Sequence, residues 1–193
     1  WILTEEDFIK SMDLPLSHFK LRASYGSLGN DRLGNYLYSS LLSFYNTLIS
    51  AGNSSQEIRT AALVNLAIKD ITWETTTTFD VGFDAAFFNN RLSLTADYFT
   101  KETVDMLMKL NVPDIIGFED PDYNVGDMNT KGWELSLGWR DKIKDFTYGI
   151  TFNIFDKKST VGYIDNRILY SDNTRTMEGE EFRQWYGYKC EGI

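Results

Sequence analysis

The chain of 193 residues carries 19 Lys and Arg against 28 Asp and Glu, a net charge of -9, which argues against a nucleic-acid partner because phosphates need a basic face. One cysteine and one histidine, Cys190 and His18, exclude an internal disulfide or a thiolate-rich metal site and leave little for imidazole or thiol catalysis. The composition is 42% hydrophobic and 15% aromatic, yet no apolar run approaches the roughly 20 residues of a spanning helix, so only alternating strands could cross a membrane.

The chain opens at Trp1 rather than Met and stops at Gly192-Ile193 just after a strand-like run, so residues 1–193 are expected to be a piece of a larger protein. Glu5-Glu6-Asp7, ahead of Pro15, favours a short helix, because acidic side chains suit a helix amino end. Alternation begins at His18. Phe19, Leu21, Ala23 and Tyr25 share one face, and Lys20, Arg22, Ser24 and Gly26 the other, which is the period of a β-strand. Gly29-Asn30-Asp31 breaks the pattern. Residues 30–72 read as a long connection with aromatic and aliphatic patches (Tyr36, Tyr38, Tyr45) and a polar centre at Gly52-Asn53-Ser54-Ser55, with room for a hairpin of its own.

The clearest segment starts at Trp73. Phe79, Val81, Phe83, Ala85 and Phe87 form one face; Asp80, Gly82, Asp84 and Ala86 form the other. Asn89-Asn90 predicts a tight hairpin, since Asn tolerates positive φ. The return puts Leu92, Leu94, Ala96 and Tyr98 opposite Ser93, Thr95, Asp97 and Phe99, and runs on towards Leu107. After a connection around Pro113, Gly117 and Pro121, Trp133, Leu135, Leu137 and Trp139 alternate with Glu134, Ser136, Gly138 and Arg140. A turn at Lys144-Asp145 follows, and the next strand sets Phe146, Tyr148, Ile150, Phe152 and Ile154 against Thr147, Gly149, Thr151 and Asn153. Residues 157–181 read as polar loop, and Gln184–Lys189 as the start of a further strand.

Three features point to an all-β, antiparallel, up-and-down transmembrane barrel segment. The alternation around Asn89-Asn90 lasts about ten residues on each side, the length a tilted strand needs to cross a bilayer, where globular strands run about five or six. Alternating strand directions put both tight turns at one end and all the long connections at the other, the arrangement of short periplasmic turns and long extracellular loops. One face is almost wholly apolar while the other carries Asp80, Asp84, Asp97, Glu134 and Arg140. Since hydrocarbon satisfies no backbone polar group, such strands must close into a barrel, with lipid outside and water or protein inside.

Several of these stretches also resemble the SusC/RagA-type TonB-dependent outer-membrane receptors. Leu21-Arg22-Ala23-Ser24-Tyr25-Gly26 with Gly29-Asn30 is similar to that family's LRxSYG…GN strand, and Ile71-Thr72-Trp73-Glu74-Thr75-Thr76 to its TWE entry. Gly82-Phe83-Asp84 through Asn90-Arg91-Leu92 to Asp97-Tyr98-Phe99 resembles its hairpin, Lys101 to Leu107 its continuation, and Asn124-Val125-Gly126-Asp127-Met128-Asn129-Thr130-Lys131-Gly132-Trp133-Glu134-Leu135 its NvGxmxNkGxEl segment. The matches run in order over most of residues 18–156. The resemblance implies a barrel of roughly 22 strands around an amino-terminal plug, in the outer membrane of a Gram-negative bacterium. It implies energy from the TonB complex through an amino-terminal region this chain does not include, a SusD-like surface lipoprotein as partner, and import of oligosaccharides or peptides. It implies no enzyme and no cofactor.

The site residues expected on this reading are structural. Phe79, Val81, Phe83, Phe87, Leu92, Leu94, Leu135, Leu137, Ile150 and Phe152 face lipid; Asp80, Asp84, Asp97, Glu134 and Arg140 face the lumen and contact the plug. Tyr36, Tyr38, Tyr45, Trp185 and Tyr186 are the loop candidates for substrate, by stacking on sugar rings. Asp120, Asp122 and Asn124 imitate the start of a calcium loop, but Val125 stands where its turn needs Gly and Lys131 where it needs Glu. The competing architecture is a soluble β-sandwich carbohydrate-binding module. Expressed without detergent, residues 1–193 are expected to aggregate through open strand edges; a soluble monomer with a cooperative melt, by gel filtration and calorimetry, would favour the sandwich.

Overall fold

A computed structural model describes residues 1–12, 15–31, 34, 38–52, 54–109, 112–118, 120–190 and 192. Its strands in chain order are β1 (Leu16–Asn30), β2 (Leu42–Ala51), β3 (Ser54–Leu63), β4 (Glu74–Phe87), β5 (Leu92–Val104), β6 (Leu107–Lys109), β7 (Asp122–Asn124), β8 (Met128–Ile143), β9 (Phe146–Val161), β10 (Leu169–Ser171), β11 (Thr174–Thr176) and β12 (Gln184–Trp185). The chain divides into two compact units, residues 1–28, 75–104 and 127–193 in one and residues 29–74 and 105–126 in the other.

The first unit is built on a sheet of order β1-β4-β5-β8-β9, with the registered pairs β4–β5, β5–β8 and β8–β9 all antiparallel. Its five strands run 13 to 16 residues, far beyond a globular strand. Sequence alternation underestimates several of them: it covers Trp133–Arg140 of β8 and leaves residues 157–181 as loop after β9, but the ladder holds from Met128 and out to Val161. Backbone pairing is indifferent to side-chain polarity, so it outlasts the apolar rows. β5 is shorter than expected, because Asp105 takes φ 56° and turns the chain away, after which Leu107–Lys109 pairs with Asp122–Asn124. Trp73 lies just before β4 instead of opening it.

The expected two-residue Asn89-Asn90 hairpin is instead a four-residue loop, Phe88–Arg91, between the paired ends Phe87 and Leu92. Asn89 and Asn90 do take left-handed φ (55° and 64°), as their type allows, but Phe88 joins them at 55°. Arg91 N–H donates to the Phe88 carbonyl at 3.3 Å and Phe88 N–H to the Pro15 carbonyl at 3.0 Å, which holds the loop in this form. Lys144-Asp145 is the two-residue turn expected, linking Ile143 and Phe146 with Lys144 at φ 56°. At the amino end, Glu5-Glu6-Asp7 leads into a single helical turn, α1 (Asp7–Lys10), with Lys10 Nζ 3.1 Å from Glu5.

Residues 157–181 are not simply loop: five of them extend β9, and β10 and β11 pair in a small antiparallel sheet that β12 joins from beyond this stretch. The further strand expected over Gln184–Lys189 is limited to Gln184–Trp185. In the second unit, β2 and β3 pair over ten rows, from Leu42↔Leu63 to Ala51↔Ser54, so the long connection does contain its own hairpin. The Asn124 carboxamide ties that unit together: its Oδ1 accepts from Thr72 N–H at 2.7 Å, and its Nδ2 donates to the carbonyls of Thr72 and Asp105 at 2.9 and 2.7 Å.

A sandwich would bury one row of the long sheet as a core. Instead Val81 is 41% exposed, Phe152 58% and Ile150 69%, and the buried hydrophobic residues among those described are only Ala85, Val125, Val161 and Ile164. Among the described residues the apolar row is not packed away as a core. Replacing Lys144 by Gly, which adopts left-handed φ without a Cβ clash, is expected to stabilise the full-length receptor by about 0.5–1 kcal/mol, read as a higher urea midpoint in vesicles.

Candidate functional site

The candidate site is the pair of faces on the long sheet. Cross-strand register collects its apolar residues into continuous rows over β4, β5, β8 and β9. Phe83, Ala96, Leu135 and Ile154 make one row; Ala85, Leu94, Leu137 and Phe152 the next; Phe87, Leu92, Trp139 and Ile150 the third. Towards the long connections the rows turn amphipathic, with Val81, Tyr98, Trp133 and Asp156, then Phe79, Thr100, Lys131 and Lys158. All ten residues expected to face lipid lie on this side.

The band runs diagonally. Its upper edge is Phe79 on β4 and Ile154 on β9, and Ile154 shares the row of Phe83, so the edge drops four residues in three strand steps. With about 3.3 Å per residue and about 4.8 Å between strands, the band becomes level only if the strands tilt by roughly 40°. That is the tilt of strands in a closed transmembrane barrel.

The opposite face holds Asp80, Asp84, Asp97, Glu134 and Arg140 together. Its rows read Asp80, Phe99, Gly132 and Lys157; Gly82, Asp97, Glu134 and Phe155; then Asp84, Thr95, Ser136 and Asn153. At its centre lies an ion network that sequence reading missed. Arg22 of β1 donates from Nε to Asp84 Oδ2 at 2.9 Å and from Nη2 to Asp97 Oδ2 at 3.0 Å, while Thr95 Oγ1 donates to Asp84 Oδ1 at 3.0 Å. One guanidinium thus joins three strands, a geometry its planar fork suits and a lysine could not reproduce. A Cβ at Gly82 would collide with Asp97 Oδ1, and the Phe99 ring fills the space where Gly132 lacks a side chain. Asp80, Glu134 and Arg140 share the face without joining the network.

Of the loop candidates, Tyr36 lies outside the described residues. Tyr38 and Tyr45 are exposed in the second unit, Tyr45 on β2 opposite Thr60. In the first unit Trp185 is 82% exposed, and Tyr186 packs 5.7 Å from Tyr170 with the Arg175 guanidinium 5.3 Å above its ring. Arg175 is itself fixed by a two-point bridge to Glu180, at 3.0 and 2.6 Å. The calcium-like run is occupied otherwise: Asn124 serves the backbone as described, and Asp120 Oδ1 accepts from Val112 N–H at 3.0 Å.

A two-faced antiparallel sheet with strands of this length and stagger is a section of a transmembrane β-barrel wall. The family model described as "TonB dependent receptor-like, beta-barrel" matches residues 12–188. TonB-dependent receptor P3 of Formosa agariphila is 31% identical over all of this chain, which covers 20% of that protein, and TonB-dependent receptor SusC of Bacteroides thetaiotaomicron is 27% identical over 80% of it, covering 16% of SusC. Among solved structures, the RagAB peptide importer in its closed-closed state superposes with a TM-score of 0.78 at 28% identity, over 93% of this chain and 19% of that one. The chain belongs to the TonB-dependent receptor family, of the SusC/RagA type. It spans about a fifth of the length of the curated relatives it matches.

Arg22→Leu is expected to leave Asp84 and Asp97 without their shared cation and to destabilise the full-length receptor by about 1–3 kcal/mol, less than a fully buried pair costs because water reaches part of the network. Urea unfolding in vesicles measures it. Adding Asp84→Asn should return part of that loss, and strictly additive effects would show that the two groups do not interact.

Proposed function

We propose that this chain is part of the wall, with external connections, of an energised outer-membrane importer that takes up oligosaccharides or peptides together with a SusD-like surface lipoprotein. The supporting observation is the diagonal apolar band, open along its length on a sheet whose other face is charged. On this reading residues 1–193 are one stretch of barrel, and Phe79, Val81, Phe83, Phe87, Leu92, Leu94, Leu135, Leu137, Ile150 and Phe152 meet hydrocarbon. Asp80, Asp84, Asp97, Glu134 and Arg140 line the lumen against the plug. The plug and the TonB-contacting segment belong to the rest of the receptor and carry the gating. On this reading the chain does no catalysis, and the Asp84 and Asp97 carboxylates are committed to Arg22.

The substrate reading favours the outer connections. Trp185 and the Tyr186–Tyr170 pair offer flat faces to a sugar ring or an aromatic peptide side chain, with Arg175 stacked on Tyr186. Uptake of labelled oligosaccharides and labelled peptides by cells carrying the full receptor tests this; loss of uptake on deleting the neighbouring lipoprotein is expected, and uptake of neither class would reject it.

The facing of the sheet has its own test. Arg at Leu137 or Ile150, near the middle of the band, is expected to cost about 2–4 kcal/mol in the bilayer-inserted receptor, whereas Arg at Ser136 on the other face should cost far less. Urea titration of receptor folded into vesicles would show the reverse order if the faces were inverted.

A further inference from the structure

Just beyond the apolar band, on the same face of the long sheet, two lysines stand opposite each other. Lys131 of β8 and Lys158 of β9 are direct register partners, and like charges so placed destabilise a sheet. Both are exposed, and among the described residues neither forms an ion pair. Two carboxylates share the face, Asp156 as the register partner of Trp133 and Glu102 as that of Asn129, and neither bridges a lysine.

Register sets the height of the pair. Lys131 lies two positions beyond Trp133, and Lys158 four beyond Ile154, the last apolar residues of their strands on that face. At about 3.3 Å per residue and roughly 40° of tilt, the lysines stand roughly 5 and 10 Å above the band along the membrane normal. A headgroup layer is about 5–8 Å deep. Flexible lysine stems therefore bring both ammoniums to the level of lipid phosphates. Lys131 also borders a groove of about 300 Å³ whose lining includes Tyr25, Phe79, Thr100, Asn129 and the acidic Glu102. Thr100 and Asn129 offer neutral donors there.

We infer that Lys131 and Lys158 clamp one phosphate of an anionic lipid in the outer leaflet, with the groove holding the rest of its headgroup. The inference rests on the barrel reading, which puts this face against the bilayer. Charge selects an anion, because a shared phosphate relieves the repulsion between the two lysines. Position selects a lipid as its carrier. Trp133 and Tyr98 occupy the next row down and Leu135 and Ala96 the one below, so acyl chains descending from the clamp would cover them.

The test titrates the full-length receptor in detergent with phosphatidic acid or phosphatidylcholine, read by native mass spectrometry. Preferential retention of phosphatidic acid is expected. Lys131→Gln with Lys158→Gln should weaken it by about tenfold and leave phosphatidylcholine unchanged, whereas Lys131→Arg with Lys158→Arg should keep it. Lys101→Gln with Lys157→Gln removes the same charge from the opposite face and should change nothing. Equal weakening by both glutamine pairs overturns the inference. So does displacement of the lipid by millimolar inorganic phosphate, which would make the clamp a free-anion site. A dye on Leu137→Cys tells two failures apart. If nitroxide on lipid chains quenches it while the Lys131→Gln, Lys158→Gln receptor binds phosphatidic acid normally, only the clamp is wrong; no quenching rejects the barrel reading and the clamp together.

Discussion

Hydrocarbon offers no partner to a backbone N–H or C=O, and the form of this chain follows from that deficit. Five strands of 13 to 16 residues meet it by pairing laterally, with unbroken ladders of 13, 12 and 16 rows at β4–β5, β5–β8 and β8–β9. Where the ladder supplies the main-chain bonds, side chains are released from making a core. That explains a sheet with almost no large buried residue among those described and a row of Val, Leu, Ile and Phe left exposed. The same demand explains why β1 and β9, as the outer strands, need further strands of the receptor beside them.

The two faces solve different problems on one backbone. On the proposed reading the apolar face is set by position in the bilayer, so its edges follow the membrane plane and cut across the rows at an angle. The charged face is read by specific contacts, and there Arg22, Asp84, Asp97 and Thr95 fix β1, β4 and β5 relative to each other with directional bonds. Gly82 belongs to this second design, because only a residue without Cβ leaves room for the Asp97 carboxylate above it.

Much of this was legible in the residues themselves. Alternation from Phe79 to Phe87, or from Phe146 to Ile154, has period two and is local, so faces, hairpin partners and the family resemblance could be read directly. What was hidden depended on register between distant segments. Arg22 and Asp84 are 62 positions apart, Arg22 and Asp97 75, and the long connection between β1 and β4 carries no signal of their alignment. Strand ends were hidden for another reason: pairing continues where both faces are polar, as at Lys157–Thr160. The Phe88 loop was misjudged because a neighbouring Pro15 carbonyl, remote in sequence, holds an aromatic residue in a conformation its own preferences oppose.

The overrun of β8 and β9 past the apolar band has a mechanical meaning. Beyond Trp133 and Ile154 the two strands stay registered through Met128 and Val161, so the wall continues as a stiff rim where the hydrophobic belt has already ended. The connections that leave β8 and β9 at that end therefore start from a paired edge beyond the apolar band, not from the band itself.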